Sequence, residues 1–176
     1  MAGMKIALLG SVPKGDEVRE GWVDWKEAYM RVLRAQLPGV VEFVHGDAVS
    51  DSLGAELVVG HDLSMIQRAD LCVVDARQKI GAGTAQEMTI AKYFNKPVVS
   101  IIPKDSHHRK TDVTFHGVVV QDWTHPFLEL SSDYVAESIE DAAAWIRTYS
   151  ETSGGFAVKD ISVYEAAIKA WEAFSA

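Results

Sequence analysis

The chain has 176 residues, 48% of them hydrophobic and 24% charged, with a formal net charge of -8. That length and apolar content suit one domain with a real core, and the acidic balance argues against nucleic acid or an anionic membrane as partner, since both require a basic surface. A single cysteine, Cys72, excludes an intramolecular disulfide and fits a reducing cytoplasm.

Lys5 to Leu9 reads as a buried strand that stops at the small-residue loop Gly10-Ser11-Val12-Pro13. No basic leader precedes a long apolar stretch and no apolar run approaches membrane-spanning length, so a soluble, unexported, cytoplasmic protein is expected. Trp22, Trp25, Tyr29, Val32, Leu33 and Leu37 recur at helical spacing up to Pro38-Gly39, and the tryptophans read as core. Val40 to Val44 is a second strand. His45 to Gly54 is a polar loop able to overhang a pocket. Ala55 to Ala69 is the next helix, with Asp62 within it, and it runs directly into the apolar strand Leu71-Cys72-Val73-Val74, where Cys72 reads as a core residue and not a nucleophile.

That strand ends in Asp75, and Gly81-Ala82-Gly83-Thr84-Ala85-Gln86-Glu87 leads on to the helical run Met88 to Phe94. An apolar strand, a glycine-rich turn and a helix in sequence place backbone N–H groups and a carboxylate at the mouth of a parallel sheet. Gly81 and Gly83 permit close ligand approach, Thr84 is placed to cap the helix, and Glu87 falls in its first turn. Thr84-x-x-Glu87 equally fits a capping box, in which the glutamate returns a hydrogen bond to the cap. Spacing leaves both readings open.

Asn95 suits a left-handed helix end before Pro97, and Val98 to Ile102 is an unbroken apolar strand. Pro103 to Asp112 is polar, with His107-His108-Arg109-Lys110 expected as a solvated loop. Val118 to Val120 reads as the last strand and Trp123 to Ser132 as a connection. Histidines 107, 108 and 116 lack the spacing and acidic companions of a metal site, so neither metal nor cofactor is expected. A helical stripe runs from Val135 through Ile139, Ala142, Ala143 and Ile146, with Glu137, Glu140 and Asp141 early in it. A break at Ser153-Gly154-Gly155 separates residues 1–150 from a helical extension, 151–176, whose amphipathic part, Ile161 to Phe174, packs on its own domain or reaches a second subunit. Alternating strands and helices with continuous apolar runs indicate a single-domain, doubly wound, flavodoxin-like α/β fold, its mainly parallel five-stranded sheet covered by helices on both faces.

The order of these pieces carries a resemblance. A strand and Gly10-Ser11 loop are followed by His61-Asp62-Leu63 heading a helix, then Ala69-Asp70, an apolar strand, Asp75, a glycine turn, Glu87 and Lys96-Pro97-Val98. Over roughly the first hundred residues this resembles the nucleoside 2-deoxyribosyltransferase family and the related 2'-deoxynucleoside 5'-monophosphate N-glycosidases. The resemblance implies that Glu87 attacks C1' of the sugar, that Asp62 is the family's aspartate before the central strand, and that Asp75 lies close to sugar or base. Gly10, Ser11, Gly81, Gly83 and Thr84 become candidate substrate-binding positions. A homo-oligomer is also implied, because family members complete their pockets from a neighbouring subunit, as are small-molecule partners: a nucleoside or nucleotide and a free base. Two departures stand out. Val12-Pro13-Lys14 occupies the place of an arginine in the monophosphate-specific relatives, with Lys14 and Arg19 the nearby cations, and Met88-Thr89 replaces a common apolar-glycine pair.

The chemistry accounts for the residue types on its own terms. Cleaving an N-glycosidic bond builds positive charge at C1', which an ionised carboxylate beneath that carbon stabilises and can trap as a glycosyl ester. The departing base needs a proton from a second carboxyl kept partly protonated, a role left open between Asp62 and Asp75. Attack by a second base then gives transfer, and attack by water gives hydrolysis. A deoxyribosyltransferase is the leading reading, a monophosphate N-glycosidase the alternative, and a non-catalytic nucleotide-binding module the reading from another class.

Overall fold

A computed structural model describes residues 3–14, 16–37, 39–46, 51–152 and 156–175. Strands β1 (Met4–Gly10), β2 (Val40–His45), β3 (Leu71–Asp75), β4 (Val98–Ile101) and β7 (Tyr134–Ala136) form one sheet in the order β2-β1-β3-β4-β7, every neighbouring pair parallel. This is the flavodoxin-like strand order, and it reverses between β1 and β3. The expected doubly wound, five-stranded α/β fold is therefore present. Strands covered on both faces need unbroken apolar runs: Ile6 to Leu9 and Leu71 to Val74 are at most 3% exposed.

Alternation along the strands divides the core in two. Ile6, Leu8, Leu71, Val73, Val99 and Ile101 face α2 (Trp25–Gln36) and α6 (Ile139–Glu151), meeting Trp25, Tyr29, Leu33 and Ile146. Ala7, Leu9, Cys72, Val74 and Val98 face α3 (Ala55–Arg68), α4 (Ala82–Tyr93) and α5 (Pro126–Ser131) through Met65, Ile66, Met88, Ala91 and Leu128. Cys72 is fully buried and burial pushes its thiol up to about 12, which suits a core residue. Helix ends follow local chemistry: Asp24 accepts from the Lys26 N–H at 2.9 Å to start α2, and Asn95 takes the left-handed conformation after α4 (φ 55°). Pro38 and the Ser153-Gly154-Gly155 break lie outside the described residues.

The middle of the chain departs from expectation. Val118 is not in the last strand of the main sheet: β5 (Arg109–Phe115) and β6 (Val118–Thr124) pair antiparallel as a separate hairpin. Its two-residue turn, His116-Gly117, takes positive φ at both positions (49° and 85°), as a hairpin loop requires. His107 to Lys110 is not a solvated loop either, since His108 is only 5% exposed and Arg109 and Lys110 open β5. The connection Trp123 to Ser132 includes α5, and Val135 belongs to β7, with α6 starting only at Ile139 after the Ser138 cap.

At the C-terminal end, Lys159 fastens the chain to the core: its N–H donates to Asp133 Oδ1 at 2.7 Å and its ammonium to the Ser132 carbonyl at 2.6 Å. The same Asp133 pairs with the fully buried ammonium of Lys92. Helix α7 (Ser162–Ser175) then buries none of its residues and exposes Ile168, Trp171 and Phe174. Among the described residues no helix is long and apolar enough to cross a membrane.

Candidate functional site at the carboxyl edge of the sheet

In an open parallel sheet the ligand crevice lies outside the carboxyl ends of the two strands where the order reverses. Those ends are Gly10 and Asp75, which are register partners across β1 and β3. Gly10 is dictated by packing: a Cβ there would sit 2.6 Å from Cζ2 of Trp25 and 3.2 Å from Cβ of Asp75. The Trp25 indole N–H donates to the Ser11 carbonyl at 3.2 Å, and the Ser11 hydroxyl donates to the Lys79 carbonyl at 3.1 Å. Gly10 and Ser11 thus couple the loops after β1 and β3 at the edge.

The glycine-rich stretch is mostly helix. Helix α4 begins at Ala82, so Gly81 is the cap residue, in extended backbone (φ -81°, ψ 169°) and without a side-chain capping bond. Thr84 does not cap: it lies inside α4 and is only 4% exposed. Glu87 accordingly stands in the second turn, and the Thr84–Glu87 capping box is absent. The reason is local. First-turn amides have no intrahelical partner in any case, so Gly83 costs little there, while Ala82, Ala85, Gln86 and Met88 favour the helix. Neither Gly81 nor Gly83 adopts positive φ, and a Cβ on either would meet nothing within 4 Å. The helix mouth is open at both.

Asp62 lies in the middle of α3, not at its head. Its Oδ1 is 3.0 Å from Nδ1 of His61, and a Cβ on Gly46, just after β2, would stand 2.9 Å from that same oxygen. Helices α3 and α4 share one face of the sheet, and their carboxylates converge. Glu87 is pushed up to about 7, first by burial and then by the negative charge of Asp62, while Lys14 from the loop after β1 pulls the other way. Glu87, Asp62 and Lys14 therefore form one electrostatic cluster.

Asp75 is separate from that cluster. It follows Leu71 and Val73 in alternation and turns to the α2 face, where Tyr29 donates to Oδ1 at 3.0 Å. Arg77 grips it with two donors, Nε to Oδ1 at 2.8 Å and Nη2 to Oδ2 at 3.0 Å, and lays its guanidinium 5.1 Å from the Tyr29 ring centre. Burial first, and then the Asp75 charge, hold the Tyr29 hydroxyl far above the usual tyrosine range, so it stays a donor. Sequence reasoning missed Arg77 and took Tyr29 for core alone; the signal for Arg77 was its place two residues beyond an acidic strand end.

A cavity of about 620 Å³ opens on another side of α4. Ala82, Ala85, Gln86 and Thr89 line it, a helical stripe that turns away from Glu87; of the expected site residues Gly81 lines it, and neither Asp62 nor Asp75 contributes.

The sheet and its helices define an open, doubly wound α/β protein, with Gly10 and Asp75 at the switch point. No family model matches the chain, and no curated protein matches it. Among solved structures, a conserved protein from Enterococcus faecalis V583 is similar over 84% of this chain and 99% of its own, at 16% identity and a TM-score of 0.58. The CMP N-glycosidase BcmB of Clostridium botulinum aligns over 82% of this chain and 99% of its own, at 11% identity and a TM-score of 0.43. The first likeness speaks to the fold alone, and the second is too loose to carry an argument.

Proposed function

We propose that the protein cleaves the N-glycosidic bond of 2'-deoxyribonucleosides and transfers the sugar to a second base, with Glu87 as nucleophile. The observation that carries this reading is that Asp62 of α3 stands near enough to Glu87 of α4 for its charge to raise that carboxyl, with Lys14 from the loop after β1 acting the opposite way. In the first half-reaction a Glu87 carboxylate oxygen bonds to C1' as the bond from C1' to the base nitrogen breaks, and the one proton that the Glu87–Asp62 pair holds passes from Asp62 to that nitrogen. In the second, an incoming base attacks C1', Glu87 leaves as carboxylate, and the proton from the attacking nitrogen returns to Asp62. Water in place of the base gives the free sugar. The donors that occupy both oxygens of Asp75 support a positioning role for it and leave proton transfer to Asp62. Gly10, Ser11 and Gly83 are proposed to frame the sugar, with Thr84 packed beneath, and Gly81, which also borders the cavity on the other side of α4, to close the near end of the helix.

Lys14 favours a second reading. A cation beside Glu87 suits a substrate 5'-phosphate, and the enzyme would then be a hydrolase of nucleoside monophosphates. Incubation with deoxyadenosine, deoxycytidine or their monophosphates, with and without a second free base, separates the readings by chromatography. A swapped nucleoside that forms only with acceptor base supports transfer; free base and sugar phosphate without acceptor support hydrolysis. Intact substrates throughout leave a nucleotide-binding module. We also propose that the protein works in the cytoplasm, as its lone cysteine suggests, and as a homo-oligomer, a reading supported by the unburied Ile168, Trp171 and Phe174 of α7.

A further inference from the structure

The cavity beside α4 has a chemical bias: Ile80, Met88, Phe127 and Leu128 are in its wall, Lys79 adds a cation, and none of its lining residues is acidic. Helix α7 has the reciprocal bias. Tyr164, Ile168, Trp171 and Phe174 recur at helical spacing along one face, and Glu165 and Glu172, three residues before Ile168 and four after it, run along the edge of that face. The two features meet at one point. The Tyr164 hydroxyl lies 2.7 Å from that of Ser131 and 3.3 Å from that of Thr89, and both residues border the cavity, one from α5 and one from α4. Those contacts hold the first turn of α7 at the cavity's rim. The rest of the helix does not fill the hollow: no residue of α7 lines it, and Ile168, Trp171 and Phe174 are more than half exposed.

An apolar hollow free of acid and an apolar helix edged with acid, adjoining and both left open by their own fold, make the chain complementary to a second copy of itself. Lys79 in the wall and Glu165 and Glu172 on the helix supply opposite charge across such a contact. Because rim and helix adjoin, a two-fold axis beside them brings each helix to the other chain's cavity and closes the assembly at two chains. The area is sufficient. Trp171, Phe174 and the equally exposed Phe127 of the cavity wall carry on the order of 150–250 Å² of surface each, so with Ile168 two copies offer roughly 1,000 Å² of apolar surface, about what a specific interface must clear. We infer, resting on the homo-oligomer proposed for this chain, that two copies pair about a two-fold axis with the Ile168, Trp171 and Phe174 face of each α7 lying in the α4–α5 cavity of the other. The seat is on the side of α4 away from Glu87.

The test uses the full chain. Phe174→Cys and Ala85→Cys, the second at an exposed cavity position of α4, are made as separate proteins, one of them in ¹⁵N so that mixed products are told by mass; Cys72 is buried and stays. Treated with a short bismaleimide, an equal mixture should yield a covalent pair with one chain of each kind. Analytical ultracentrifugation should find the parent paired, and Ala85→Glu, which sets an acid in the acid-free wall, should weaken self-association at least about tenfold. No mixed link, or an Ala85→Glu protein that pairs as tightly as the parent, overturns the proposal and leaves an oligomer built on another face. A parent with one chain per particle overturns the proposal and the homo-oligomer together. A link that closes inside one chain carrying both cysteines, with none in the mixture, seats α7 on its own cavity and overturns the proposal as well.

Discussion

At the scale of single residues, Glu87 decides most. Its carboxyl is pushed from 4.5 to about 7 by burial and by Asp62, so near neutral pH it is divided between acid and carboxylate. A nucleophile must be ionised, and kcat/KM is therefore expected to rise with pH and level off above about 7; a profile that falls over that range would make the raised carboxyl the acid instead. The same shift carries a cost. A carboxyl whose folded pKa lies above its unfolded value contributes stability that is fully present below about 4.5 and lost as pH rises through about 7. Glu87→Gln removes the titration, so relative to the parent it should gain stability on going from pH 4.5 to pH 8, by on the order of 3 kcal/mol. Urea unfolding of both proteins at the two pH values measures it, and an equal difference at both would contradict the burial of that charge. Asp75 illustrates the opposite solution, a carboxylate with Tyr29 and Arg77 already on its oxygens.

At the scale of elements, what the sequence made legible was what burial on both faces enforces. Leu71 to Val74 and Val98 to Ile101 have no polar face to show except Ser100, whose hydroxyl meets that of Ser132 at 2.6 Å, and such runs can only be central parallel strands. The α2 stripe was equally plain, and Leu33, fully buried in it, should cost about 2–5 kcal/mol when cut to alanine, read from the shift in denaturant midpoint. The hairpin was hidden because most of Arg109 to Phe115 and Val118 to Thr124 is exposed on both sides, so no apolar alternation marks it, and its turn uses His116-Gly117 where asparagine or aspartate would have signalled one. Strand β7 was hidden by shortness: Tyr134 to Ala136 sits directly before α6 and its Val135 fits that helix's period. The start of α4 was misplaced because two glycines suggest a loop, although helix N-termini tolerate them. For the candidate site, the order of strand, turn and helix is what singles out Glu87 and Asp62 for the proposal, whereas the separation of Asp75 onto the other face follows from strand alternation that only the register fixes.

At the scale of the whole molecule, two features extend beyond one domain's needs. Helix α7 is anchored at its start, where the Tyr164 hydroxyl lies 2.7 Å from that of Ser131, yet leaves Trp171 at 65% and Phe174 at 82% exposure. Such a stripe is costly to leave in water. The proposed homo-oligomer predicts that light scattering finds more than one chain per particle and that the double variant Trp171→Glu, Phe174→Glu falls to one; a monomeric parent would remove that part of the account. The other feature is the arrangement of the sheet, which reverses its strand order between β1 and β3, the place where an open parallel sheet leaves a crevice.

The most direct measurement is base exchange: deoxyadenosine with isotopically labelled adenine, and deoxycytidine with labelled cytosine, each with the parent protein and with Glu87→Gln. The account predicts label entering at least one of the two nucleosides with the parent and none with the variant. Label entering at the parental rate without the Glu87 carboxylate, or no exchange of either pair by the parent, would contradict it.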